Sequence, residues 1–247
     1  MITDPAFYAV AIPAVLLIGL SKSGFGAGFG ALGVPLMALA VPVPQAAAIM
    51  LPLLLVMDAQ GLAALVRQRD RALIRLLLPA GVLGVVVGAL LFGLLSARTV
   101  AGLVGAMTLT FLAIRVLFPA RADAPPPPRW LGFGLGTVSG FTSFVAHAGS
   151  PPIGFYVLPL RLKPVVFAAT MAVFFAAVNL AKWIPYAWLG LIDSRNMLTS
   201  LALLPAAPVG IWLGVVFVKR VSQQLFYRLF HIGMLLTGSK LLWDGLR

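Results

Sequence analysis

"SKSGFGAGFGALG" occupies residues 21–33. Five of its thirteen residues are glycine (Gly24, Gly26, Gly28, Gly30 and Gly33), and Lys22 stands at its start. Apolar runs flank it on both sides, "MITDPAFYAVAIPAVLLIGL" before and "VPLMALAVPVPQAAAIMLPLLLVM" after. A glycine-rich break and a charge inside such a sequence need a reason, and the fold class turns on which reason holds.

Working outward, the whole chain is apolar. Its 247 residues are 61% hydrophobic and only 10% charged, with a mean hydropathy of +1.05. Soluble domains carry about 25% charged residues. A chain this poor in charge cannot cover a water-facing surface, so it reads as an all-α polytopic membrane protein. The length permits roughly eight to ten segments of about 20 residues. The first 20 residues carry Asp4 and no basic residue, so they read as a membrane segment and not as a cleavable signal. No cysteine is present, which excludes disulfides and thiolate metal sites. The net charge of +12 does not point to nucleic acid, because the basic residues fall in short loops between apolar runs, where they set topology.

The two halves resemble each other. Pro79, Gly84, Gly88 and Ser96 recur as Pro205, Gly210, Gly214 and Ser222, at an offset of 126. The glycine-rich break recurs as "GFTSFVAHAGSPPIGF" at 140–155, where Ala27-Gly28 and Gly33 match Ala148-Gly149 and Gly154 at an offset of 121. Their shared order predicts a duplication. The expected organisation is a first transmembrane repeat over 1–120, a Pro-rich linker over 121–129 containing Pro125–Pro128, and a second repeat over 130–247. Each repeat divides into about five apolar segments. These run about 6–21, 25–41, 45–66, 73–95 and 98–118, then about 130–145, 150–160, 164–186, 197–218 and 223–243. The first pair in each repeat is short and Gly-interrupted, readable as a re-entrant hairpin or as two full spans.

Five is odd, so the two repeats are expected to be inverted. With the N-terminus outside, the inner loops hold Arg67, Arg69, Arg71, Arg75, Arg115, Arg121, Arg129, Arg161, Lys163, Lys219, Arg220 and Arg228, with Lys22 on the same side. That is 13 of 18 basic residues. Arg98, Lys182, Arg195, Lys240 and Arg247 fall outside. The bias follows the positive-inside rule and puts the Pro-rich linker in the cytoplasm.

Inverted repeats with paired broken segments are a transporter architecture, with the substrate held near the midplane by half-helix ends. Glycine lets a ligand approach backbone amides closely, and a helix N-terminus suits an anion. Expected ligands of the substrate are Ser21, Lys22, Ser23, Gly26 and Gly28 from the first break. The second break offers Thr142, Ser143, His147, Gly149 and Ser150. Pro151 and Pro152 suit the first turn of a helix that Ser150 would cap. Each assignment has a plainer competitor. The glycines of 24–33 serve helix packing instead, Lys22 snorkels to the inner surface, His147 packs, and Thr142 and Ser143 bond their own helix carbonyls. Packing alone is assigned to Gly84, Gly88, Gly210, Gly214, Gly132, Gly136 and Gly140.

Asp58, in "LLLVMDAQGL", lies inside the third segment, and the repeat places Asn179 at its equivalent (58 + 121). Intramembrane ionisable groups are costly and are functional or paired. Asp58 is either a coupling-proton carrier or the structural partner of a base such as Lys22. His147 is the other proton-carrier candidate.

"IGLSKSGFGAGFGALGVPLMAL" and "GFTSFVAHAGSPPIGFYVLPL" together resemble the sulfite exporter TauE/SafE family of membrane permeases, over about 5–243. The resemblance implies an exporter of sulfite, another sulfur oxyanion or an organosulfonate, in the bacterial cytoplasmic (inner) membrane. The expected partners are a small anionic substrate and the lipid bilayer, with no nucleic acid, no cofactor and no metal. Oligomeric state is left open. The competing readings are an anion channel, a structural subunit, and a membrane-embedded enzyme such as a lipid phosphatase using His147 and Ser150. No paired carboxylates, metal-ligand cluster or phosphate loop supports an enzyme. No ATP-binding segment is visible, so a transporter here is expected to draw on ion or substrate gradients, or on a partner.

Overall fold

The computed structural model describes residues 1–22, 32–92, 94, 96–118, 126–220 and 223–246. These form helices, with no strand among the described residues. The first half contributes α1 (Pro5–Leu20), α2 (Gly33–Met37), α3 (Val43–Leu65), α4 (Arg71–Phe92) and α5 (Ala97–Leu117). The second contributes α6 (Arg129–Ala146), α7 (Ser150–Val157), α8 (Pro164–Ala181), α9 (Trp183–Trp188), α10 (Ser194–Leu203), α11 (Ala206–Arg220) and α12 (Gln223–Leu246).

By length and composition, Val43–Ala63, Arg71–Phe92 and Val165–Trp188 can each cross a membrane. The pair Ser194–Leu203 and Ala206–Leu213, bent by 43°, adds a fourth if it is one span. The sequence reading took that pair as one continuous segment over 197–218. Pro205 stands at the break, where it has no N–H to continue the ladder. α7 has eight residues, about 12 Å at 1.5 Å per residue, against a hydrocarbon core of about 30 Å. It is too short to cross. The Pro-rich linker lies outside the described residues up to Pro125, and Pro128 stands at the N-cap of α6.

The helix exterior is apolar. Leu90, Ile184, Trp212 and Leu236 are all more than 60% exposed, a surface suited to lipid and not to water. Trp130, Trp188 and Trp243 stand at or near helix ends and are exposed, as interfacial tryptophans do.

Packing pairs helices across the halves. α1 lies against α11, α4 against α6, α3 against α8, and α5 against α12. Glycine makes the crossings close. A Cβ on Gly19 would sit 2.8 Å from the backbone of Gly210, and one on Gly210 would sit 2.9 Å from the Leu16 carbonyl oxygen. At the other crossing, a Cβ on Gly84 would collide with the Thr137 carbonyl oxygen and sit 2.9 Å from Gly140. Gly88 packs on Phe144, Gly132 on Tyr156 and Gly136 on Ala80. Packing is therefore what these glycines do, as read from their spacing; the surroundings of Gly214 lie outside those described.

Candidate functional site

The six acidic residues of the chain are all aspartate. Asp4, Asp70 and Asp193 accept backbone N–H groups at the starts of α1, α4 and α10, satisfying donors that helix termini leave over. Asp244 pairs with Lys240 one turn away on an exposed face. Asp123 lies outside the described residues. Asp58 is the exception, only 4% exposed near the middle of the molecule.

Asp58 sits on α3, six residues after Pro52. Proline removes the N–H that would meet the Ala48 carbonyl and pushes the helix open there. The carbonyls on either side take donors from the second half: His147 Nε2 lies 2.8 Å from the Ala47 oxygen, and Ser200 Oγ donates to the Ile49 oxygen at 2.7 Å. α3 is thus held against the second half along the stretch that leads to Asp58.

A continuous chain of bonds runs from the first break to the second. Lys22, just past the end of α1, donates to Asp58 Oδ1 in a salt bridge. Asn179 Nδ2 donates to Asp58 Oδ2 at 2.6 Å. Lys182 Nζ donates to Asn179 Oδ1 at 2.8 Å and to His147 Nδ1 at 2.8 Å. His147 closes the chain on the Ala47 carbonyl. Lys182 has no exposed surface, and Asn179 and His147 are buried. Asp58 is thus paired with Lys22, and it has a second partner that the repeat offset had named only as an equivalent, Asn179.

Lys182 corrects the sequence reading. The alternation of segments puts it among the outer charges. It belongs instead to the buried cluster, since α8 continues past it into α9 and turns its ammonium inward. The signal was available: Asn179 and Lys182 are three apart, which places them on one helix face.

The second break is self-satisfied. His147 ends α6 with φ 52° and ψ 25°, left-handed backbone that side chains rarely adopt. Thr142 Oγ1 donates to the carbonyls of Ala148 (2.9 Å) and Ser139 (3.2 Å), and Ser139 Oγ donates to Gly149 at 2.7 Å. The single hydroxyl proton of Thr142 is shared between these two carbonyls and holds the turn. A Cβ on Gly149 would sit 2.8 Å from the Ser139 carbonyl oxygen, so glycine is needed for this close approach. Ser150 is the first residue of α7, and the Ile153 N–H reaches back to the Gly149 carbonyl. The cap position is thus Gly149, one residue before the expected Ser150. Ser21 and Ser143 are buried. Ser23, Gly26 and Gly28 lie outside the described residues.

Aromatic rings brace the turn. Tyr186 donates to the Phe144 carbonyl at 2.5 Å, and its ring meets that of Phe144 edge-on at 5.0 Å. An apolar cavity of about 270 Å³ lies between α5, α6 and α7, lined by residues such as Met107, Leu135 and Phe155 and reaching Ala148. It does not include the charged cluster. Among the described residues no group of His or Asp could hold a metal ion.

The long apolar helices and their apolar exterior define an integral membrane protein with a charged cluster buried between its halves. The chain belongs to the sulfite exporter TauE/SafE family, whose model matches residues 11–241. Comparison with curated proteins and with solved structures gave no match.

Proposed function

We propose that the chain is a secondary transporter that exports a small sulfur oxyanion or organosulfonate across the bacterial inner membrane, by alternating access, with Asp58 as the carrier of a coupling proton. The observation that carries this reading is the bonded chain Lys22–Asp58–Asn179–Lys182–His147. It joins the end of α1 to the end of α6 through side chains costly to bury unless they function or are paired. Asp58 suits the proton better than His147, because each carboxylate oxygen keeps a second lone pair after accepting its one bond, whereas each ring nitrogen of His147 has a single site and both are engaged.

The packing supports inverted repeats as the frame. In a two-fold arrangement, contacts recur with the partners exchanged. Gly210 meets Leu16 and Gly19, while Gly84 meets Thr137 and Gly140; Thr137 and Gly140 follow Leu16 and Gly19 by 121, and Gly210 follows Gly84 by 126. Asp58 and Asn179, themselves 121 apart, bond directly to each other, as equivalent residues at a two-fold axis do. The cluster would then lie on the axis, where such transporters bind cargo.

The test is purified protein in liposomes, offered sulfite, sulfate, thiosulfate and short organosulfonates under imposed gradients. Saturable, gradient-driven uptake that Lys22→Ala abolishes is expected. No uptake of any of these anions would overturn the reading, and currents far above carrier turnover would replace it with a channel.

A further inference from the structure

The geometry points to a charge-counting rule for the cargo, resting on the transporter reading above: with Asp58 ionised the cluster accepts a monoanion, and a dianion binds only together with a proton taken up by Asp58.

The count follows from hydrogen-bond chemistry. A carbonyl oxygen only accepts, so His147 Nε2, facing the Ala47 oxygen, carries a hydrogen. Nδ1 faces the Lys182 ammonium and therefore accepts. His147 is held neutral, and a second ring proton would require Lys182 to give up its own. Asn179 is neutral and oriented, its amide nitrogen on Asp58 and its oxygen on Lys182. The rule counts both lysines as ammonium groups; Lys22 and Lys182 then contribute two positive charges, against one negative charge from Asp58.

A buried charge without a counter-charge is unfavourable, so the loaded cluster is expected to be neutral. One excess positive charge matches a monoanion. Lys22 is where it would arrive: its side chain is 21% exposed, against 4% for Asp58. A dianion on Lys22 would leave one negative charge in excess. The proton balances it, converting the Asp58 carboxylate to the acid, freeing Lys22 from its ion pair and leaving Asn179 still bonded.

Among the described residues, the bonds of the cluster involve no other ionisable group. The groups facing Asp58 are Lys22 beyond α1, Lys182 beyond α8 and His147 beyond α6, with Tyr186 of α9 behind His147. The remaining charges on elements packed against α3 stand near element ends: Arg67 and Arg69 after α3, Arg98 and Arg115 in α5, Arg129 in α6, Arg195 in α10, and Lys219 and Arg220 in α11. α2 carries none.

The experiment is calorimetric binding by the purified full chain, with methanesulfonate as the monoanion and sulfate as the dianion. Neither changes charge across the neutral range. Buffers of different ionisation enthalpy report proton uptake. Wild type is expected to bind methanesulfonate without proton uptake. It should bind sulfate with one proton per anion, more weakly as pH rises. Asp58→Asn fixes two positive charges, so its preference should move toward sulfate by on the order of tenfold or more, with no proton uptake. Asp58→Asn combined with Lys182→Met restores a single positive charge at alkaline pH, where the His147 ring released from Lys182 stays neutral, and measured there it should return the preference to methanesulfonate. Thermal unfolding establishes that each variant is folded. An Asp58→Asn protein, folded and with wild-type preference and proton uptake, overturns the rule. So does a folded double variant that still prefers sulfate. Wild type that binds neither anion overturns the transporter reading itself, and the rule with it.

Discussion

His147 holds two strains at once. Its backbone is left-handed, at about 1–2 kcal/mol for a side chain other than glycine or asparagine, and its ring bridges Lys182 to the Ala47 carbonyl. The turn is kept because the ring must be there. Replacing His147 separates the two terms. His147→Asn keeps a residue that tolerates this backbone but loses the bridge, at about 1–3 kcal/mol for a buried group left unpaired. His147→Ala loses the bridge and keeps the backbone strain, so it should unfold at a lower temperature than His147→Asn, by the difference in left-handed tolerance. Equal melting temperatures would show that the turn costs nothing. What sequence revealed at this scale was uneven for a physical reason. Asp58, Lys22 and His147 stood out because a charge or imidazole inside an apolar run is conspicuous. Lys182 did not, because a lysine at the end of a run looks the same whether its helix stops there or continues.

At the scale of elements, helix crossings depend on glycines whose spacing was legible and on breaks whose position was not. Pro79 and Pro205 occupy equivalent places in the two halves. Pro79 lies inside the continuous α4, while Pro205 separates α10 from α11. Proline alone does not decide between a kink and a break; the packing of neighbouring helices does. The glycines give a sharper test. Gly84→Ala forces a methyl into the Thr137 and Gly140 backbone, and Gly210→Ala forces one into Leu16 and Gly19. Backbone cannot rotate aside as a side chain can, so each should destabilise by about 1–3 kcal/mol, as overpacking does. Gly134 is the internal control, in the same helix as Gly140 but with nothing within 4 Å of a Cβ. Gly134→Ala should be neutral, or stabilising by up to about 1 kcal/mol from helix propensity. Unfolding of the three variants in denaturing detergent, side by side, ranks them. A ranking that puts Gly134→Ala with the other two would mean that helix flexibility, and not the close crossing, sets the cost.

For the whole molecule, the orientation argument changes once the cluster is known. Lys22 and Lys182 are bonded into the interior, so neither reports on a loop. Removing both from the count leaves 12 basic residues on the inner side (13 less Lys22) and 4 outside (5 less Lys182). The inner excess survives, and its outer remainder includes Lys240, whose charge is already matched by Asp244. Orientation follows lysine and arginine in short loops, so the corrected count still sends the stretch between the halves to the cytoplasm. The chain contains no cysteine, which makes single cysteines clean reporters. Asp123→Cys, between the halves, should react with an impermeant thiol reagent only when the inner face is open, as in inverted vesicles. Thr3→Cys, ahead of α1 and exposed, should react only from the outside in intact cells. The inverted arrangement proposed above puts an odd number of crossings between them, and the two positions should then label from opposite faces. Labelling of both from the same face would require an even number, and the two halves would then be parallel. The exchanged contacts of Gly84 and Gly210, and the bond between Asp58 and Asn179, would in that case need an origin other than an axis in the membrane plane.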